Sequence, residues 1–279
     1  MADTAFQTQY REQFIDGFEI RQSLLRSACT TEAMIKGNTA TFLIADSGGA
    51  TAVTRGVNGL IPARADNLTQ TSATLAEWHD LVRKTGFNVF ASQGDQIRIM
   101  QETTMGVLNR KIDSDLIAQL DTGTVDCGAA VVASINLVVK AQTILGIAEV
   151  PVEDEENMFA LISPAFRGYL MQTTEFSSGD YVEVKPFNGP PRRYFRWMGV
   201  NWIVHPNVTG VGTSSEKCYM FHRSALGHAV DKSGLNTPVG YDGEQDYSWA
   251  RASGFFGSKL LQNTGVVQML HDGSGYVGT

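Results

Sequence analysis

A mixed α+β fold is predicted by three features of the sequence. Short β-prone runs alternate with helical ones, and one helical run is unusually long. Glycine is plentiful, at 28 of 279 residues, which suits turns and close backbone contacts more than a helical bundle. A Gly-punctuated excursion without any catalytic motif separates two of the strands, and a long excursion inside a compact domain is usually functional. With 43% apolar residues the chain can bury one large core or two smaller ones. Only 18% of residues are charged, where soluble domains carry roughly 25%. The deficit fits either surface hidden against other copies or simply a large core.

Each element follows in order. Residues 1–31 are polar, with Phe6, Tyr10, Phe14, Phe18 and Leu25 about one helical turn apart, which predicts a short helix or an arm that orders on docking. Thr39–Ala45 reads as a strand ended by the turn signal Asp46-Ser-Gly-Gly. Gly56-Val-Asn-Gly-Leu-Ile-Pro-Ala-Arg64 places apolar residues between two glycines and a proline, poor core design but good contact-loop design. Thr69–Trp78 and Phe87–Ala91 are expected to return the chain as strands.

From Asp95 to Thr122, Ile97, Met100, Val107, Leu108, Ile112, Leu116, Ile117 and Leu120 recur at spacings of three and four, predicting one long helix with Gly123 at its C-cap. At 1.5 Å per residue it spans roughly 40 Å. Val131–Ile147 carries a second helical stripe, and Glu153–Glu156 reads as a solvated loop. Met158–Ile162 reads as a buried strand, and Ser163-Pro164 opens a helix over Ala165–Gln172. Strands are expected at Tyr181–Val184, Tyr194–Trp197, Asn201–His205 and Cys218–His222, then a short helix capped by Ser224 and ending near Val230. The tail reads as a strand over Tyr247–Ala252, a short helix over Phe255–Leu261 and a last strand over Val266–His271.

Several function classes find no support. The formal charge of −7 argues against broad adhesion to nucleic acid. The densest basic cluster, Arg192, Arg193 and Arg196 with Tyr194, Phe195 and Trp197, is read as a basic hairpin edge, with a stacking platform as the alternative. Cys29, Cys127 and Cys218 form no CxxC pair, so neither a disulfide framework nor a zinc site is indicated, and a reducing cytoplasm is the expected setting. Charged residues near the N-terminus interrupt any secretory apolar run, and Ala129–Ala148 is broken by polar residues, so no membrane span is expected. No phosphate loop, GxSxG elbow or HExxH helix occurs, and the five histidines are scattered. Asp242, Glu244 and Asp246 lack the register of a calcium loop and read as a turn. No cofactor, metal or catalytic residue is assigned.

The order of parts, together with Phe90-Ala-Ser-Gln-Gly-Asp95, Leu161-Ile-Ser-Pro-Ala-Phe166, Trp197-Met-Gly-Val-Asn-Trp-Ile-Val-His-Pro206 and Met220-Phe-His-Arg-Ser-Ala-Leu226, resembles the major capsid proteins of tailed bacteriophages. That architecture is shared with encapsulins and the herpesvirus capsid floor. The resemblance implies an N-terminal arm over 1–36 and a peripheral domain over 37–123 with an extended loop at 46–77 and a spine helix at 95–122. It further implies an axial domain over 124–235 and return strands over 236–279.

A self-assembling shell of pentamers and hexamers around double-stranded DNA is the implied function. Its implied partners are further copies, a portal protein, possible separate scaffolding or decoration proteins, and weakly held DNA. The implied location is the virion, after assembly in the host cytoplasm. Some relatives weld subunits from a lysine in the extended loop. No lysine lies between Gly37 and Arg83, so no such bond is expected here. Candidate contact residues are Phe6, Tyr10, Phe14, Arg55, Asn58, Leu60, Ile61 and Arg64, with Arg55 and Arg64 expected to meet acidic groups on a neighbour. The competing readings are an encapsulin-like compartment and a hydrolase or binding domain.

Overall fold

The computed structural model describes residues 21–31, 34–64, 67–91, 95–174, 193–231 and 234–276. The helix-or-arm reading around Phe6, Tyr10 and Phe14, and the strand expected at Tyr181–Val184, lie outside them. In chain order the elements are β1 (Met34–Lys36), β2 (Thr39–Asp46), β3 (Asn67–Thr74), β4 (Ala76–Thr85), α1 (Gly86–Ala91), α2 (Gln96–Leu120) and α3 (Ile135–Ile147). They continue with β5 (Met158–Ile162), α4 (Pro164–Leu170), β6 (Tyr194–Trp197), β7 (Val200–Val204), β8 (Glu216–His222), β9 (Leu226–Val230), β10 (Val239–Asp242), β11 (Tyr247–Leu260) and β12 (Val266–His271).

These elements gather into two compact units. One comprises Ala76–Asp113 and Val230–Phe256 with the segment ending at Ser23; the other comprises Leu24–Leu75, Ser114–Ala229 and the segment from Gly257. In the first, β4 and β10 flank β11 in antiparallel register, Trp249 opposite Arg83 and Gly240. Trp78 stacks on Phe256 at 6.2 Å, and the Lys111 ammonium of α2 lies 4.0 Å over the Trp78 ring, so a cation–π contact ties helix to sheet.

The second unit is built on a five-stranded sheet ordered β12-β8-β5-β7-β6, with β5 and β7 parallel and the remaining pairs antiparallel. Its central strands are buried on both faces, which is why Met-Phe-Ala-Leu-Ile in β5 reads as a continuous apolar run instead of alternating. α3 packs Leu137, Val138, Ala141 and Leu145, and α4 packs Phe166 and Leu170, into one core with Trp202, Met220 and Met269. Ser163 caps α4 by accepting from the Phe166 amide, with Pro164 at the first helical position as the sequence predicts.

The long helix runs from Gln96 to Leu120 and buries Met100, Leu108, Ile112, Leu116, Ile117 and Leu120. Ile97 and Val107 of the expected stripe are exposed instead. Gly123 follows the helix without a left-handed backbone. The terminal carbonyls of the helix are met locally, Ile117, Gln119 and Leu120 accepting from the amides of Asp121, Thr122 and Gly123, and just beyond them the Gln268 side-chain amide donates to the carbonyl of Gly123 at 2.7 Å and to that of Asp121 at 3.2 Å.

Other expectations need correction. Thr69–Trp78 is not one strand but parts of two, β3 and β4, divided at Leu75, whose amide turns aside to the Asn38 carbonyl. Phe87–Ala91 is the helix α1, not a strand; the Thr85 hydroxyl accepts from the Asn88 amide and starts it. Ser224 sits in a single 3-10 turn capped by His222, and Leu226–Val230 is strand β9 rather than helix. Four consecutive residues, Leu226–Ala229, are buried there, which suits a strand covered on both faces. The helix expected over Phe255–Leu261 is strand as far as Leu260, where β11 ends, with Phe255 exposed and Phe256 buried in alternation. The second stripe becomes helical only from Ile135, since Val131 bridges His271 in extended form.

Candidate assembly surfaces

The segment 46–77 leaves one hairpin strand at Asp46 and returns along the other over Asn67–Thr74. β2 and β3 pair from Thr39–Thr74 to Asp46–Asn67, and β1 extends the sheet on the β2 side. One face of the hairpin packs on its own unit through Ala40, Phe42 and Ala73 together with Ala229. The other face leaves Leu43 and Leu68 largely exposed. At the loop base the Asp46 carboxylate accepts from Asn67 and, at 2.7 Å, from the Gly48 amide. This fixes where the chain leaves the strands.

Beyond that base, every described loop residue from Ser47 to Arg64 is exposed. Leu60 and Ile61 stand 73% and 67% exposed, side by side on a segment whose own fold gives them nothing to pack against. Gly56 to Leu60 close a tight turn, in which the Gly59 amide donates to the Gly56 carbonyl at 2.8 Å and the Gly56 amide to that of Leu60 at 2.9 Å. Asn58 occupies this turn before Gly59, whose φ of +69° is left-handed. Arg55 donates to the Gly59 carbonyl at 3.3 Å and Arg64 to the Ser47 carbonyl at 3.4 Å. Thus Arg55, Asn58, Leu60, Ile61 and Arg64 share one exposed loop, with both arginines bracing its backbone. Phe6, Tyr10 and Phe14 lie outside the described residues.

The root of the N-terminal segment is strapped to α2. Arg21 pairs with Glu102 at 3.3 Å, its carbonyl accepts from Asn109 at 2.8 Å, and the Ser23 hydroxyl donates to Asp113 at 2.5 Å. Gly106 lies beneath the crossing, with Arg21 Cα 3.6 Å from where a β-carbon would stand. Sequence reasoning missed this strap, because nothing in its spacing marks Arg21 and Ser23 as partners of a helix some eighty residues on.

Two polar clusters, one partly exposed and one buried, were also illegible in the sequence. Past the end of α2, the Asp121 carboxylate accepts from Tyr219 and, at 2.6 Å, from Thr209, and lies 3.4 Å from the Lys217 ammonium. Burial, then this hydrogen bond, pushes the Tyr219 phenol well above its ordinary range. In the second cluster, Glu216 accepts from the Ser163 hydroxyl and, at 2.6 Å, from the Gly212 amide. His271 Nε2 lies 3.9 Å from the same carboxylate, and burial lowers that imidazole's proton affinity.

A serine, a histidine and a glutamate thus gather beside a cavity of about 270 Å³ lined by Pro164, Val211, Gly212, Glu216, Gly273 and Tyr276. Their geometry is that of a brace. The Ser163 oxygen is committed to Glu216 and to the helix cap, no Ser–His bond forms, and all three side chains are fully buried. Burial raises the thiols of Cys127 and Cys218 to about 11 and about 12, which favours their protonated form. Among the described residues no three His, Cys, Asp or Glu side chains gather to hold a metal, and no helix is long and apolar enough to cross a membrane.

Comparison with solved structures finds the same fold at low identity. Mycobacterium phage Che8 matches with a TM-score of 0.73 and 14% identity, over 98% of this chain and 99% of that one. The capsid of a native GTA particle matches at 0.73 and 10% identity, over 96% of each chain. The capsid of Ralstonia phage GP4 matches at 0.69 and 12% identity, over 97% of this chain and 95% of that one. No match was found among curated protein sequences. A family model described as phage capsid protein spans residues 2–273. A fold shared end to end and a family match over nearly the whole sequence converge: the chain belongs to the phage capsid protein family and is a structural capsid protein.

Proposed function

We propose that the subunit self-assembles into pentamers and hexamers of an icosahedral head that encloses double-stranded DNA, without enzymatic activity of its own. The N-terminal arm, 1–36, and the extended loop, 46–77, reach neighbouring subunits. The peripheral domain over 37–123 holds the spine helix, the axial domain over 124–235 meets its copies around the vertices, and residues 236–279 complete the two. Flexible arms let identical chains meet slightly different neighbours. Assembly in the host cytoplasm, a portal protein and separate scaffolding or decoration proteins complete the reading. The charge of −7 leaves packaged DNA weakly held.

The observation that carries the proposal is the pair Leu60 and Ile61, exposed on the loop of a hairpin whose other residues pack on their own unit through one face only. Covering each contributes roughly 1.5–3 kcal/mol before ordering costs. Phe6, Tyr10, Phe14, Arg55, Asn58 and Arg64 complete the contact set, with both arginines turning toward acidic groups on the neighbour. The test is Leu60→Asp with Ile61→Asp, followed by negative-stain microscopy and thermal unfolding. Particles are lost while the melting temperature of the subunit is unchanged. Normal particles from this variant would refute the loop's role, and a compact monomer from the wild-type chain at micromolar concentration, with no particles on adding scaffold, would refute the shell.

A further inference from the structure

We propose that Asn58 is a site of spontaneous amide-to-acid conversion, a modification that adds a negative charge to the exposed stretch between Ser47 and Arg64. Asn58 is exposed at the loop tip and is followed by glycine, so no β-carbon shields the Gly59 nitrogen from the Asn58 side-chain carbonyl. Nothing lies within 4 Å of where a Gly59 side chain would stand. One bond holds that nitrogen, the turn bond to the Gly56 carbonyl at 2.8 Å, and exposed loop bonds of this kind open locally at small free-energy cost.

The step balances without any oxidant or cofactor. The Gly59 amide nitrogen gives up its proton to solvent base and attacks Asn58 Cγ. The new N–Cγ bond closes a five-membered imide, the Cγ–Nδ2 bond breaks, and ammonia departs with a proton. Water then opens the imide at either carbonyl, leaving aspartate or isoaspartate.

Other asparagines serve as internal controls. Asn67 is strand-bound and tied to Asp46, Asn109 donates to Arg21, and Asn201 donates to Glu155, and none of the three precedes glycine. Asn188 also precedes glycine and lies outside the described residues. From Ser47 to Arg64 the loop holds two arginines and no acidic residue, so one conversion takes its formal charge from +2 to +1 (2 − 1). The new carboxylate stands beside the Arg55 guanidinium at Gly59 and competes for it. Isoaspartate also reroutes the backbone through the former side chain. An unassembled subunit therefore ages at its contact loop.

The experiment incubates the full-length free subunit in mildly alkaline buffer at body temperature and follows peptides by mass spectrometry that separates aspartate from isoaspartate. The Asn58 amide is lost while Asn67, Asn109 and Asn201 keep theirs. Asn58→Gln, whose longer side chain closes the ring far less readily, keeps its amide and the subunit's melting temperature. Retention of the Asn58 amide for as long as that of Asn67 overturns the proposal. A parallel incubation of assembled particles rests on the contact-loop reading. Slower loss there supports both ideas, whereas equal loss upholds the modification and counts against a covered loop.

Discussion

The Asp121 carboxylate follows a helix C-terminus, where the macrodipole disfavours negative charge, and it persists because Tyr219, Thr209 and Lys217 converge on it. Replacing it with alanine leaves a buried phenol and a hydroxyl without their acceptor, and the expected loss is about 1–3 kcal/mol by denaturant unfolding. His271 and His222 are held below the ordinary imidazole value of 6.5, chiefly by burial. The folded state therefore binds fewer protons than the unfolded one, so their contribution is complete above 6.5 and declines as pH falls below it. The melting temperature of the free subunit is expected to drop as pH falls from neutral toward 5, and less so in His271→Gln. An equal drop in that variant would remove His271 from the explanation. None of these partners was legible in the sequence. Each is a lone polar residue in an apolar or mixed run, and its partner lies many tens of residues away.

Elements were legible where local chemistry and tertiary demand agreed. The long helix declares itself because Met100, Leu108, Ile112, Leu116 and Leu120 repeat on one face, and Ser163-Pro164 announces α4 by the capping geometry it then adopts. Short apolar runs misled: Phe87–Ala91 has too few residues for a period to distinguish helix from strand, and the Thr85 cap was the usable signal. Phe255–Leu261 contains a glycine, Gly257, and pairing with β4 as far as Phe256 helps fix it as strand. Gly106 offers a clean test at this scale. An alanine there meets Arg21 Cα at ordinary contact distance and removes a glycine from a helix interior, so Gly106→Ala is expected to raise stability by about 0.5–1 kcal/mol. Gly106→Leu drives into the strap and lifts residues 21–23 from the helix, read as faster amide exchange at Arg21 and Ser23.

At the scale of the whole molecule, a subunit carrying −7 must approach others of the same sign. Raising ionic strength from about 0.01 M to about 0.15 M shortens the screening length from roughly 30 Å to roughly 8 Å, and the yield of particles followed by light scattering is expected to rise. A falling yield would mean that paired charges such as Arg55 and Arg64 with acidic partners outweigh the net repulsion. The overall architecture was legible because the sequence of parts, hairpin then spine then mixed lobe, is itself distinctive. Which copies touch was not, because an interface is a property of two surfaces and one chain displays only half.

Gln268 gives the molecule a timetable. The carbonyls of Asp121 and Gly123, just past the spine, receive a donor from a side chain 145 positions downstream of Gly123. A nascent chain emerging residue by residue can coil the spine and close its end with the amides of Asp121, Thr122 and Gly123, but cannot fix the path that leaves it until Gln268 has been synthesised. Such distant closure slows folding. It also means that a prematurely terminated chain carries an unanchored spine exit into any encounter with its siblings.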